Sequence, residues 1–381
     1  MSETFILSAS RTPIGSINGT LANYTAPQLG AKAMADALAK SGVKAEALGE
    51  VVMGCVLSAG IGQAPARQAA VGAGIPFGVG ATTVNKVCGS GMKAVMMACQ
   101  SIALGEEDYA LAGGMESMSK APYLLDKARS GYRYGNAVLI DSVLSDGLTD
   151  PYDKVHMGDC GELCAKEHAI TRQMQDEWAL RSYQRAAEAQ AKGVFKSEIV
   201  SIDGIELDEE PGRAKLDKIS KLRPAFQKDG TITAANASKL NDGAAALVLC
   251  GAKGAAGRKP LARIAGWATH AQEPKWFTTA PAGAVESVLK KVGWTKDQVD
   301  LFEVNEAFAV VGLAVAKLAG LPHDKVNVHG GAVALGHPLG ASGARILVTL
   351  LNALKVRGGK RGIAGICLGG GEAVAVALEL V

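Results

Sequence analysis

One pattern occurs twice in this chain, and it limits the fold more than any other feature. Val84-Asn85 opens a strand-like segment, a glycine-rich turn follows at Cys88-Gly89-Ser90-Gly91, and an apolar-striped helix leads to a strand and the pair Gly113-Gly114. In the second half Val326-Asn327, the turn Gly340-Ala341-Ser342-Gly343, a stripe of Leu347, Leu350, Leu351 and Leu354, and Gly369-Gly370 come in the same order. The first stripe, Met92, Val95, Met96, Cys99 and Ile102, has helical spacing. Two similar halves facing each other are the expectation. Short apolar runs alternating with longer helical segments point to an α/β architecture. The same reading predicts a helix over 28–40, a buried strand from Glu50 to Leu57 and a strand from Tyr109 to Ala112.

The stretch from about Glu116 to Asn241 breaks the pattern. It is polar, and Thr171 is a good N-cap for a following helix. It reads as an insertion of the kind that covers or completes an active site. With 381 residues the chain is long enough for roughly two or three units sharing large cores. A net charge of +3 gives no basic excess for a nucleic-acid partner. Seven cysteines, odd in number and scattered, argue for a reducing compartment rather than a disulfide framework. No basic leader precedes Thr4-Phe5-Ile6-Leu7, and no uninterrupted apolar run approaches the ~20 residues of a membrane span. A cytoplasmic protein with no membrane partner is expected, the alternative being an organelle matrix entered without a cleaved leader.

Three glycine-rich turns carry groups suited to chemistry. Cys88 lies at a strand-to-helix turn, where first-turn amides lack partners and the helix dipole is positive. Both effects favour a thiolate, and Gly89 lets a carbonyl approach backbone N–H groups that could hold an oxyanion. A small buried hydrophobe is the competing role. His337 is restricted to extended conformations by Pro338 and has glycine nearby on both sides, which suits a positioned base; a loop histidine bonded to backbone is the alternative. Cys367 ends an apolar run at Gly369-Gly370-Gly371, and a tuned thiol can act as general acid and base. Asn305 could orient a water or donate to an oxyanion, or simply cap a strand. His156, Cys160, Cys164 and His168 come at four-residue intervals, but on one helix the outer pair would be about 18 Å apart at ~1.5 Å per residue. That is too far to share one ion, and no metal is expected.

Taken together, these segments resemble the thiolase family. The matching residues are Val87-Cys88-Gly89-Ser90-Gly91, Gly113-Gly114-Met115-Glu116-Ser117-Met118-Ser119, His156-Met157-Gly158, Leu222-Arg223-Pro224-Ala225-Phe226, Asn236-Ala237-Ser238, Asn241-Asp242-Gly243-Ala244-Ala245, Asn305-Glu306-Ala307-Phe308 and Gly336-His337-Pro338-Leu339-Gly340-Ala341-Ser342-Gly343. The resemblance, closest to the short-chain acetyl-CoA acetyltransferases, runs from Arg11 to the C-terminus. It implies the thiolase fold: two similar βαβαβαββ halves in a five-layered αβαβα arrangement with an inserted loop domain. The implied division is 1–117 with 242–265, the insertion 118–241, and 266–381.

The resemblance also implies reversible Claisen condensation of two acetyl-CoA to acetoacetyl-CoA and CoA, by ping-pong transfer through a thioester on Cys88. His337 takes the thiol proton and Cys367 moves the proton of the second acetyl group. One oxyanion site uses His337 and a water held by Asn305; the other uses the amides of Cys88 and Gly369. His156, Met157 and Ser238 match positions near the pantetheine arm and thioester, and Phe308 borders the acyl pocket. Arg213, with Lys215, Lys218 and Lys221, lies where the nucleotide would rest, though a solvated charge run is the simpler role for each. No cofactor beyond CoA thioesters and a homotetramer built as a dimer of dimers are implied. The alternatives are a 3-ketoacyl-CoA thiolase of broader chain length and a decarboxylating condensing enzyme; Cys367 with its glycine run argues against the latter. His329, Glu372-Ala373 and Ala235 depart from the family pattern.

Overall fold

The computed structural model describes residues 3–381. β1 (Thr4–Arg11) leads to α1 (Ala26–Ser41). Thr25 starts that helix: its hydroxyl accepts from the Gln28 amide while the Gln28 side chain accepts from the Thr25 amide, which satisfies two orphan donors at once. There follow β2 (Glu50–Gly54), α2 (Pro65–Gly72), β3 (Gly80–Val84), α3 (Ser90–Leu104) and β4 (Tyr109–Ser117). The insertion contributes α4 (Met157–Glu167) and α5 (Arg172–Ala191), the latter capped by Thr171 as its sequence predicts. β5 (Asn241–Gly251) returns to the first sheet. The second half runs β6 (Ala262–Ala271), α6 (Ala280–Val292), β7 (Leu301–Val304), α7 (Ala309–Ala319), α8 (Leu339–Arg357), β8 (Arg361–Leu368) and β9 (Glu372–Leu380).

The strand order β3-β2-β4-β5-β1 is repeated as β7-β8-β9-β6. In each set the first connections are parallel and the last two antiparallel. β1 thus corresponds to β6, β2 to β7, β4 to β8 and β5 to β9. Val326, which bridges in parallel to Phe302 of β7, stands where β3 stands in the first half. The sets meet where Thr4–Ile6 pairs with Ala262–Ile264. α3 and α8 pack against each other and against strands of both sets, forming the middle layer. α1 and α2 cover the outer face of the first sheet, and α6 that of the second with α7 against it. Both middle helices are long and apolar enough to cross a membrane, yet α8 is 83% buried and Val87–Leu104 61% buried. A helix apolar on every side is what a layer between two sheets requires.

Three strand ends differ from the sequence reading. The strand expected to open at Val84-Asn85 instead ends there, spanning Gly80–Val84. β2 stops at Gly54 rather than Leu57 because the Val56 and Leu57 amides donate to the Glu116 carboxylate, not to a neighbouring strand. β4 runs on to Ser117, paired with β5 as far as Asp242. The insertion is pinned to β1 by a fully buried ion cluster. Arg11 donates Nε to Glu198 at 2.6 Å and both Nη atoms to Asp208 at 2.7 and 2.9 Å.

Candidate active site

Cys88 sits between β3 and α3 in a turn with little freedom. Val87 has φ 45°, a left-handed value that a β-branched residue rarely takes. Ser90 holds the turn: its Oγ accepts from the Lys86 amide at 2.8 Å and donates to the Val87 carbonyl at 2.6 Å. The Gly369 amide, from the turn between β8 and β9, donates to Cys88 Sγ. Burial pushes the thiol up to about 12, against the pull of that amide and of its own. The helix terminus expected to favour thiolate is present, but removal from water outweighs it.

His337 enters from the other half. Gly336, at φ 106°, packs so closely on Asn241 that a Cβ would lie 2.5 Å from its Cγ. Asn241 Oδ1 accepts from the His337 amide at 2.9 Å. The ring Nδ1 is 2.6 Å from Ser342 Oγ, whose single proton goes to the Pro338 carbonyl at 2.8 Å. Nδ1 must therefore carry the ring proton, and Nε2 presents its lone pair. Asn305 Nδ2 lies 3.4 Å from that Nε2, while the buried Asn305 Oδ1 has no protein partner. Burial, reinforced by Arg345, pushes His337 down to about 3, so the imidazole is neutral and able to accept a proton.

Cys367 is fully buried near the end of β8, paired across the ladder with Ala373. Its thiol is held well above the ordinary range, first by burial and then by Cys88, so the two thiols sense each other. The halves come together at glycines. A Cβ on Gly91 would lie 2.9 Å from the Ala344 amide nitrogen, and one on Gly343 would lie 2.5 Å from that of Met92. Only glycine permits α3 and α8 to cross so closely. Glu116 adds a polar tie, accepting from the Gly340, Val56 and Leu57 amides at 2.9, 3.1 and 3.1 Å. Burial lifts its carboxyl to about 7 despite those bonds. Lys86 and Glu372 pair at 2.5 Å and tie the Cys88 turn to the glycine turn after Cys367.

The insertion supplies the adjoining wall. His156 caps α4, its Nδ1 accepting from the Gly158 amide, and its ring stacks on Phe226, which meets Phe308 edge-on. Met157 Sδ would be 3.8 Å from a Cβ on Gly369, next to the Cys88 turn. Ser238 follows Ala237, which bridges to Phe308, and the Ser238 amide donates to the Ala307 carbonyl. Glu306 ties this wall to α5, accepting from Trp178 Nε1, Ser182 Oγ, Asn327 Nδ2 and the Val333 amide. Arg213 stands apart from these groups, exposed and paired with Glu209 on its own short helix. Cys160 and Cys164 are buried on α4 between the two histidines at its ends, His156 and His168. His329 borders a cavity of about 300 Å³ with Arg185 and Arg357, on another face. Ser342, Asn241 and Glu116 belong to the family-like motifs, but their supporting roles emerge only from these contacts.

Comparison with known proteins shows the family. The family model for the thiolase N-terminal domain matches residues 4–253 and that for the thiolase C-terminal domain residues 258–380. Acetyl-CoA acetyltransferase 2 of Arabidopsis thaliana is 52% identical over 100% of this chain and 97% of its own. Acetyl-CoA acetyltransferase IA of Candida tropicalis is 51% identical over 99% and 97%. The crystal structure of the Acat5 thiolase of Ascaris suum, in complex with coenzyme A, superimposes with a TM-score of 0.96 at 44% identity, covering 100% of both chains.

Proposed function

The chain belongs to the thiolase family and is an acyltransferase; from that premise we propose that it condenses two acetyl-CoA to acetoacetyl-CoA and CoA, and runs the reverse thiolysis, through a thioester on Cys88. The observation that carries the reading is the packing of the Cys88 turn on the turn after Cys367, where a Cβ on Gly89 would lie 2.6 Å from Leu368 Cδ2 and one on Gly369 3.6 Å from Val87 Cγ1. It joins the nucleophile of one half to the turn that follows Cys367 in the other.

In the first half-reaction His337 Nε2 takes the Cys88 proton as sulfur attacks the thioester carbonyl, and CoA departs as a thiol with the proton of Cys367, which is left as a thiolate. With the thiol near 12 and the imidazole near 3, the ion pair is costly at rest. Proton transfer is therefore coupled to attack, when charge passes onto the carbonyl oxygen. Preorganised amides of Cys88 and Gly369 would receive that charge in a site closed to water. In the second half-reaction Cys367 removes a proton from the methyl group of the incoming acetyl-CoA. The enolate oxygen would be held by protonated His337 Nε2 and a water on Asn305, whose buried Oδ1 is open to such a partner. The carbanion then attacks the acyl-enzyme, the bond to Cys88 sulfur breaks, and the thiolate released takes back its proton from His337. In reverse, Cys367 protonates the departing enolate.

His156, Met157, Ser238 and Phe308 form the wall along which the pantetheine arm would run; Arg213 and its lysines would meet the nucleotide. The domain division at 117/118 and 241/242 has support from β4 ending at Ser117 and β5 beginning at Asn241. A cytoplasmic enzyme of fatty-acid metabolism, needing no cofactor beyond CoA thioesters, completes the reading. A homotetramer joined through the loop at 131–136 is supported by exposed Tyr134, Val138 and Leu139. The test is mass spectrometry after brief mixing with acetyl-CoA alone. An acetyl adduct on Cys88, followed by acetoacetyl-CoA without a malonyl donor, is expected. Product that requires a malonyl donor, or an adduct elsewhere, would refute it.

A further inference from the structure

Lys239 follows Ser238 directly and is partly buried, and its ammonium is taken up by protein acceptors. Nζ donates to Tyr183 Oη at 2.5 Å, the Ala237 carbonyl at 2.9 Å and the Val333 carbonyl at 3.1 Å. An ammonium has three N–H donors, and all three are used. Its acceptors lie on three separate segments. Tyr183 is on α5 of the insertion. Ala237 is on the strip that bridges to Phe308 and carries Ser238. Val333 is in the short helix Ala332–Leu335 that ends at Gly336 and delivers His337.

We propose that Lys239 is a positioning residue whose protonated side chain clamps the wall carrying Ser238 and Phe308 onto the segment that delivers His337. The inference rests on the reading of the site given above and deepens it. It gives the CoA-side wall and the catalytic imidazole a common fixing point. No carboxylate pairs with this ammonium among the described residues. Glu210 and Glu306 act on it from a distance and favour its charge, Tyr183 is the titratable group in contact, and 236–238 and 332–335 bring none. Burial outweighs the two carboxylates and pushes Lys239 down to about 8. The clamp is thus released by moderate alkali. Because the folded state then holds fewer protons than the unfolded chain, this group raises global stability between about pH 8 and 10.5. Activity lost through Lys239 in that window is a loss of alignment, not unfolding.

The test compares wild type with Lys239→Ala and Lys239→Arg, checked by circular dichroism and sedimentation. Lys239→Ala should lose about tenfold or more in kcat/KM for acetyl-CoA. Added ammonium chloride should restore it; tetramethylammonium chloride at equal ionic strength, with no N–H to donate, should not. Lys239→Arg, a permanent cation, should move the alkaline fall of kcat/KM to higher pH. The dissociation constant for CoA, which needs no turnover, should follow the same pattern in Lys239→Ala with and without ammonium. Wild-type kcat/KM and CoA affinity in Lys239→Ala, or a loss that ammonium does not reverse, would overturn the proposal. A wild-type enzyme that makes no acetoacetyl-CoA would instead refute the proposed reaction, while the CoA measurement still judges the clamp.

Discussion

α3 and α8 hold equivalent places in the two halves, yet their entrances are built from different parts. α3 is entered through Val87 at φ 45° and Gly89, with no side-chain cap, and the group it presents meets a backbone amide, that of Gly369. α8 is entered through Gly336 at φ 106° and Pro338. Its Gly340 amide goes to Glu116 of the opposite half, and its Ser342 hydroxyl takes the imidazole. The thiol therefore receives a donor for developing negative charge, and the imidazole receives an acceptor that fixes its tautomer. Duplication supplied one frame twice; the division of labour was written into the few residues that close each helix end.

That contrast can be broken at either end. Cys88→Ala should lower kcat/KM by at least about 10³-fold and abolish the acetyl adduct, read by steady-state assay and mass spectrometry. His337→Asn should cost about 10²–10⁴-fold, and the adduct should form correspondingly slowly in rapid quench. An adduct formed at the wild-type rate would mean another group ionises Cys88. Glu116 offers a smaller effect with a defined pH window. Its carboxyl rises from 4.5 to about 7, so the folded protein keeps a proton there that the unfolded chain has released. Stability then falls as pH climbs through that interval, by about 3 kcal/mol at most. Glu116→Gln should flatten the fall, measured as urea midpoints below and above the window. Gly343→Ala should cost about 1–3 kcal/mol by forcing the crossing apart, and more than Gly91→Ala, whose Cβ has slightly more room. The smallest change belongs to Glu372→Gln. Lys86 and Glu372 are 22% and 33% exposed, so the pair is worth under about 1 kcal/mol, and chemical denaturation should find no more.

The helix over 90–104 and the cap at Thr171 were legible because each depends on neighbours in sequence. So were the glycine turns, since a backbone with little side chain on it is recorded in composition. The end of β2 was not, because a carboxylate from β4 claims the Val56 and Leu57 amides. The motif placed His337 among the candidates, but its tautomer depends on a hydroxyl that turns to the Pro338 carbonyl. Ser342 in the first helical turn after the histidine was the available signal. Lys239 carries no signal of its own in the sequence; only folding brings Tyr183 and Val333 to it. Arg11 is similar, since a cation in a buried strand becomes intelligible once Glu198 and Asp208 arrive from the insertion.

Arg11 also bears on traffic. Lifting the insertion away would strand a guanidinium in a dry interior, at a cost of about 3–5 kcal/mol before any apolar area is counted. The cover is therefore bolted down rather than hinged. A long ligand then has to come and go with the insertion in place, and its departure should be timed by its own coiling and by side-chain swings, not by the parting of two bodies.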